Sequence, residues 1–246
     1  MNIEQTAEYI QPVLAHPIAP AVDLPKVTPP PLENGDRLTR SEFERRYDAM
    51  PHIKKAELIE GVVYMASPVR CESHAQPHSR IMTWLGVYWA ATPGIQLADN
   101  ATVRLDPDNE VQPDALLWLE PELGGNSRIS DADYIEGAPE LIVEIAASSA
   151  AYDLHDKLNV YRRTGVKEYI VWQTYENRLD WFKLYEGEYL PLKPDESGIV
   201  HSEIFPGLDL AAEALLKGDL AKVLSELQKG IETAEHAAFV KRLLGE

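Results

Sequence analysis

Two acidic residues and one lysine stand where their neighbours make a charge costly. Asp114 follows Gln112-Pro113 and enters the apolar run Ala115-Leu116-Leu117-Trp118. Glu144 lies inside Leu141-Ile142-Val143-Glu144-Ile145-Ala146, a β-branched stretch that reads as a central strand. An ionised carboxylate in such a strand is unfavourable unless a cation or hydrogen-bond donors compensate it. Two of them on successive core strands suit a hard divalent cation, which prefers oxygen ligands. Lys157 falls on the next predicted helix, about 60° from Leu154 and about 40° from Tyr161 around the axis. It therefore borders the buried side, while Arg162 and Arg163 point outward.

These residues need a layered scaffold. Thr39 and Glu42 read as a capping box opening a short helix. Residues 57–67 read as one strand or a hairpin around Gly61. From Ser79 to Ala91, Ile81, Trp84, Leu85, Tyr88 and Trp89 follow helical spacing and end at Pro93-Gly94. Ala101–Leu105 and Val111–Leu119 are strand-like runs joined by Asp106-Pro107-Asp108-Asn109, and residues 124–138 are loop-like. A helix over about Tyr152–Thr164 ends at Gly165. The apolar strand Val166–Gln173 follows, with a meander over Asn177–Tyr185 and Tyr189–Leu192. Leu210–Leu244 is helical by period, with Leu216, Leu220, Val223, Leu224 and Leu227 on one face. Interleaved strands and helices predict an α/β or α+β architecture, a central mixed β-sheet flanked by helices. The five tryptophans read as core or sheet-face packing.

Three regions are expected: a proline-rich N-terminal arm over 1–35, a catalytic-type core over 36–210 and a C-terminal helical extension over 211–246. The arm holds seven prolines between Pro12 and Pro31, and proline removes a backbone donor and forces extended neighbours. No apolar run is long enough to span a membrane, and no secretion signal is legible at the N-terminus. The lone Cys71 fits a reducing cytoplasm. Cys71, His74 and His78 have zinc-like spacing, but a fourth ligand is not evident.

In order along the chain, several segments resemble the bacterial "putative restriction endonuclease" family within the PD-(D/E)XK nuclease superfamily. They are Glu57-Leu58-Ile59-Glu60-Gly61, His78 leading a helix, Pro113-Asp114, and Pro139–Ile145 with Ser148-Ser149 following. The most specific is Asp153-x3-Lys157-x3-Tyr161-x3-Gly165-Val166-x-Glu168-Tyr169. The likeness spans roughly residues 37–210. Ala146 stands where the superfamily pattern places its lysine, and Lys157 would be that lysine moved to the following helix. Ala147-Ser148-Ser149 replaces the family's Ser-Pro-Ser, and Ile170 replaces a tryptophan after Glu-Tyr.

The resemblance implies a restriction-endonuclease-like fold and hydrolysis of DNA phosphodiester bonds with Mg²⁺ or Mn²⁺. Asp114, Glu144 and the Ile145 carbonyl would hold the metal, and Lys157 would orient water or stabilise phosphoryl charge. Glu57 or Glu60 would add a third carboxylate; alternation of faces along a strand leaves the choice open. By its spacing, four residues before Lys157, Asp153 is placed either to orient that lysine as an i,i+4 pair or to cap the helix. A homodimer would match the two strands of duplex DNA, with the C-terminal helices as its candidate interface. The alternative is a catalytically silent nuclease fold serving as an interaction module. The charge bears on this choice. The whole chain carries −17, and residues 36–210 hold 17 basic and 30 acidic residues, a net −13. Proteins that grip DNA through its phosphates usually present a basic face. If the chain is a nuclease, its substrate binding must therefore be local, weak, salt-sensitive or partner-assisted.

Overall fold

The computed structural model describes residues 28–66, 68–147 and 150–246, without the side chains of residues 150 and 151. Most of the proline-rich arm and Ser148-Ser149 lie outside the described residues. Along the chain, α1 (Arg40–Asp48) precedes the hairpin β1 (Ala56–Ile59) and β2 (Val62–Met65). A π-helical turn over Cys71–Ala75 leads into α2 (Gln76–Ala91). Then come β3 (Ile95–Asp99), β4 (Val103–Asp106), β5 (Asn109–Val111), β6 (Ala115–Leu119), β7 (Arg128–Ile129), β8 (Ile135–Glu136) and β9 (Leu141–Ala146). Helices α3 (Ala150–Leu154) and α4 (Asp156–Thr164) lead to β10 (Glu168–Gln173), β11 (Arg178–Tyr185) and β12 (Glu188–Pro191). The chain closes with β13 (Ile199–His201), β14 (Asp209–Ala211), α5 (Ala212–Lys217), α6 (Leu220–Ile231) and α7 (Ala234–Leu243).

Mixed β-sheets flanked by helices form the fold, as expected, but the strands divide into two six-stranded sheets and a two-stranded ribbon. The central sheet runs β12-β11-β10-β9-β6-β3, with β9 and β10 parallel. The second runs β2-β1-β5-β4-β8-β7. The division occurs at Gln112-Pro113-Asp114. The single strand expected over Val111–Leu119 is instead β5 in one sheet and β6 in the other. Proline cannot donate to a ladder, so pairing stops there and the chain changes sheets. The 124–138 segment, expected to be loop, contributes β7 and β8.

Alternation along the central strands sorts the core. Ala115, Leu117, Leu141, Val143, Ile145, Ile170 and Trp172 face α2 and the C-terminal helices. Leu116, Trp118, Ile142, Ala146, Tyr169 and Val171 face the opposite way, with Val160 and Tyr161 of α4. Helix α2 buries Ile81, Trp84, Leu85 and Tyr88 as its spacing predicts, although it starts earlier than Ser79. Trp89 departs from expectation. It is 46% exposed, and its indole donates to the Ile95 carbonyl at 3.1 Å. The C-terminal residues Leu215, Val223, Leu227, Phe239 and Leu243 join the same core as α2. Among the described residues, no helix is long and apolar enough to cross a membrane.

Candidate active site

Asp114 and Glu144 reach one place because of strand register. Strands β6 and β9 pair antiparallel with Ala115 opposite Val143 and Leu116 opposite Ile142. One further step sets Asp114 opposite Glu144, on the face shared with Leu116 and Ile142. On the other side of Glu144 stands Val171 of β10. The Asp114 carboxylate is pinned by the Ile145 amide, which donates to Oδ2 at 2.7 Å. Asp114 and Glu144 are each 3% exposed.

Lys157 comes from α4. The predicted helix over Tyr152–Thr164 breaks into α3 and α4 at His155, where the Asp153 carbonyl is taken by the Tyr169 hydroxyl at 3.0 Å. The lysine Nζ lies 2.9 Å from Glu144 Oε1, 3.0 Å from Glu57 Oε1 and 3.6 Å from Asp153 Oδ1. The Tyr161 hydroxyl donates to Glu144 Oε1 at 2.8 Å. The expected Asp153–Lys157 pair is therefore present within a larger cluster.

The first hairpin separates the two candidate third carboxylates. Glu60 and Gly61 form its turn with φ of 51° and 72°, the paired left-handed conformation of a tight hairpin. The Glu60 side chain consequently projects outward and pairs with Arg163 at 2.8 Å. Glu57 sits on β1, where its Oε1 accepts from the Gln112 amide at 2.7 Å and from Lys157. The structure brings Glu57 to the cluster and leaves Glu60 outside it.

Electrostatics divides the carboxylates. Burial would raise Asp114, but nearby His74 and Lys55 and the Ile145 amide hold it at about 2. Burial pushes Glu144 up to about 8; Lys157 opposes this, while Asp153, Asp114 and Glu57 add to it. Burial alone would lower Lys157, yet Glu144, Glu57 and Asp153 outweigh it and keep the ammonium well above its ordinary value. Three carboxyl groups share one ammonium, and burial leaves Glu144 holding a proton near neutral pH that added positive charge would displace.

Two neighbours of Asp114 were not among the predicted site residues. His74 Nε2 is 3.2 Å from Asp114 Oδ1, and Lys55 Nζ is 3.7 Å from the same oxygen. His74 had a weak signal in its spacing from Cys71 and His78. Lys55 had none, because a lysine before a strand is commonplace. His78 Nε2 contacts the Asp114 carbonyl at 2.9 Å and Asp99 at 3.1 Å. Cys71 is exposed and free, and no zinc-like group of ligands forms among the described residues.

The Glu168-Tyr169 pair divides its work between faces. Tyr169 packs edge-on against Tyr161 beneath the cluster. Glu168 faces the other way and accepts from Trp181, Ser202 and the amides of Glu203 and Ile204. A surface cleft lined by Glu60, Asp156, Asn159, Arg162 and Arg163 lies elsewhere and does not include Asp114, Glu144 or Lys157.

Asp114 itself offers an oxygen that a divalent cation could take. Its Oδ1 is buried and has no hydrogen-bond partner among the described residues, an arrangement that is costly unless a cation fills it. No three His, Cys, Asp or Glu side chains among the described residues are grouped to hold an ion by themselves. Main-chain oxygen or water would have to complete the shell.

Residues 40–213 match the Uma2 family, described as "putative restriction endonuclease". The chain belongs to the Uma2 family. No curated protein matches it. Its fold is similar to the crystal structure of a "putative nuclease belonging to DUF820" from Anabaena variabilis ATCC 29413. The TM-score is 0.50 at 13% identity, covering 69% of this chain and 96% of that one. The Uma2 match runs from α1 into α5, so it contains Glu57, Asp114, Glu144 and Lys157 together.

Proposed function

We propose that this Uma2 protein is a metal-dependent endonuclease that hydrolyses DNA phosphodiester bonds. The observation that carries the reading is the adjacency of two buried carboxylates, Asp114 and Glu144, with the Lys157 ammonium 2.9 Å from the second. Asp114, Glu144 and the Ile145 carbonyl would hold Mg²⁺ or Mn²⁺. A strand residue directs its N–H and C=O toward the same neighbour. The Ile145 amide already binds Asp114, so its carbonyl faces that side too. A bound ion there would polarise the scissile phosphoryl group and acidify a coordinated water.

The remaining chemistry belongs to the chain. Asp114 stays ionised at neutral pH and offers a permanent anionic ligand. Lys157 stays protonated and serves as a donor: it orients the attacking water or stabilises charge on the phosphoryl oxygens. Glu57 and Asp153 hold the lysine in place, and Tyr161 fixes Glu144. This is the work of the superfamily lysine performed from α4.

Isothermal titration with Mn²⁺ and a plasmid-nicking assay at low salt test the reading together. Metal binding that disappears in Asp114→Ala, with nicking that requires metal, is the expected result. The −17 charge favours the competing view of a silent interaction module. A folded wild type that binds neither Mg²⁺ nor Mn²⁺ would defeat the enzyme reading.

A further inference from the structure

We infer that Lys55 is a substrate-binding residue of the site, its ammonium receiving a DNA backbone phosphate at the open, Asp114 side of the cluster. The inference rests on the nuclease reading and adds the group that meets the substrate.

Strand alternation puts Lys55 there. Along β1, Ala56 and Leu58 turn into the core around Phe43. Glu57 points to Lys157, and Ile59 joins the core that holds Tyr161 and Tyr169. One residue before the strand, Lys55 shares the face of Glu57 and Ile59. Its carbonyl accepts from the Ala66 amide at 3.3 Å, which fixes the main chain but not the side chain. The Nζ atom stands 3.7 Å from Asp114 Oδ1 and 3.5 Å from Asn100 Oδ1. Both contacts are long for an ammonium. With three donors and a side chain 26% exposed, Lys55 keeps N–H groups for an incoming anion.

The two lysines thus differ in station. Lys157 is 5% exposed and lies within 3.0 Å of both Glu57 and Glu144, so it works from inside the cluster. Lys55 stands at the rim.

Charge gives the direction of approach. Glu57, Glu144 and Asp153 surround Lys157. Around Asp114 the basic side chains are the more numerous. Lys55 and His74 face its carboxylate, and His78 contacts its carbonyl, with the exposed Asp99 as the other acid. In a chain of net −17, a phosphodiester meets less repulsion on this side. Asp114 keeps the ammonium at the site in the free protein, and the long, flexible stem lets it turn to a phosphate. Such a contact positions the strand without reading its bases.

Fluorescence anisotropy of a labelled DNA duplex, with Ca²⁺ in place of Mg²⁺ and over a range of salt, tests the assignment on the full chain. Lys55→Met should weaken binding about tenfold at low salt and flatten the slope of log K against log salt by about one. Lys55→Gln repeats the measurement should the methionine variant unfold, and Lys55→Arg, which keeps the charge, should retain the slope. Lys54→Met is the control, because Lys54 is turned to the Pro51 carbonyl at 3.4 Å; it should bind as wild type does. In nicking kinetics Lys55→Met should raise KM about tenfold and leave kcat within about twofold. Wild-type affinity and slope in folded Lys55→Met reduce Lys55 to a counter-ion of Asp114 and leave the nuclease standing. Equal losses in Lys54→Met and Lys55→Met overturn the assignment as well. A wild type that binds no DNA even at low salt removes both proposals.

Discussion

The Asp114 carboxylate accepts a hydrogen bond from the Ile145 amide at 2.7 Å, so the first acidic residue is fastened to the strand that carries the second. The bond continues the β6–β9 ladder through a side chain just beyond the break at Pro113. It fixes Asp114 Oδ2 and leaves Oδ1 for another partner. Asp114→Asn should therefore preserve the fold while abolishing metal binding. Thermal melts with and without Mn²⁺ check this: wild type should gain about 3 kcal/mol of stability at a hundredfold excess over Kd, and the variant should gain nothing. An equal gain in both would exclude Asp114 as a ligand.

Lys157 donates to Glu144 Oε1 at 2.9 Å. Lys157→Ala should reduce nicking by about 10²–10³-fold, the size expected for loss of one preorganised charge stabiliser. The same change strands Glu57 and Glu144, so circular dichroism must accompany the assay. Unchanged cleavage by a folded variant would remove Lys157 from the machinery.

Glu57 and Glu60 give a paired comparison. Glu57→Gln weakens the positioning of Lys157 and should lower activity by about 10–100-fold. Glu60→Gln alters only an exposed pair with Arg163 and should keep activity within about twofold. The reverse ranking would mean that the hairpin presents its other carboxylate to the substrate.

Tyr161 is fully buried and donates to Glu144 Oε1. Tyr161→Phe removes one hydrogen bond without creating a cavity and should cost about 1–3 kcal/mol in urea denaturation. No loss would show that the hydroxyl is dispensable to the cluster.

Buried carboxyls, Glu144 at about 8 among them, set the pH dependence of stability. Burial pushes Glu168 and Glu110 up to about 7 each, from 4.5. Between those values the native state retains protons that the unfolded chain has released. Their stabilising effect is complete below about pH 4.5 and is lost as pH rises through about 7, at most about 1.4 kcal/mol per pH unit for each proton. Asp114 acts oppositely, but only in acid below its ordinary value of 3.8. Unfolding free energy should therefore decline from pH 5 to pH 8, and Glu168→Gln should flatten the decline. A slope unaltered by that substitution would exclude Glu168 as a source.

Asp114, Glu144 and Lys157 were legible in the amino-acid order because each breaks an apolar pattern or sits at a defined helical angle to one. Periodicity alone also located α2 and the C-terminal helices. The segment at Pro113 shows the limit: its apolar run looks continuous, and only long-range pairing assigns β5 and β6 to different sheets. Trp89 shows another, since helical spacing marks a face but not how wide a stripe the sheet covers.

The order of residues by itself determined which groups are too polar for their neighbourhood, and hence which ones must find partners. Tertiary structure alone decided who those partners are. Register set Asp114 against Glu144, a two-residue turn aimed Glu60 outward and left Glu57 with Lys157, and a π-helical turn directed His74 at Asp114. Local sequence specifies periods of a few residues, whereas these contacts join positions 13 to more than 40 residues apart and exist only once the layers have packed.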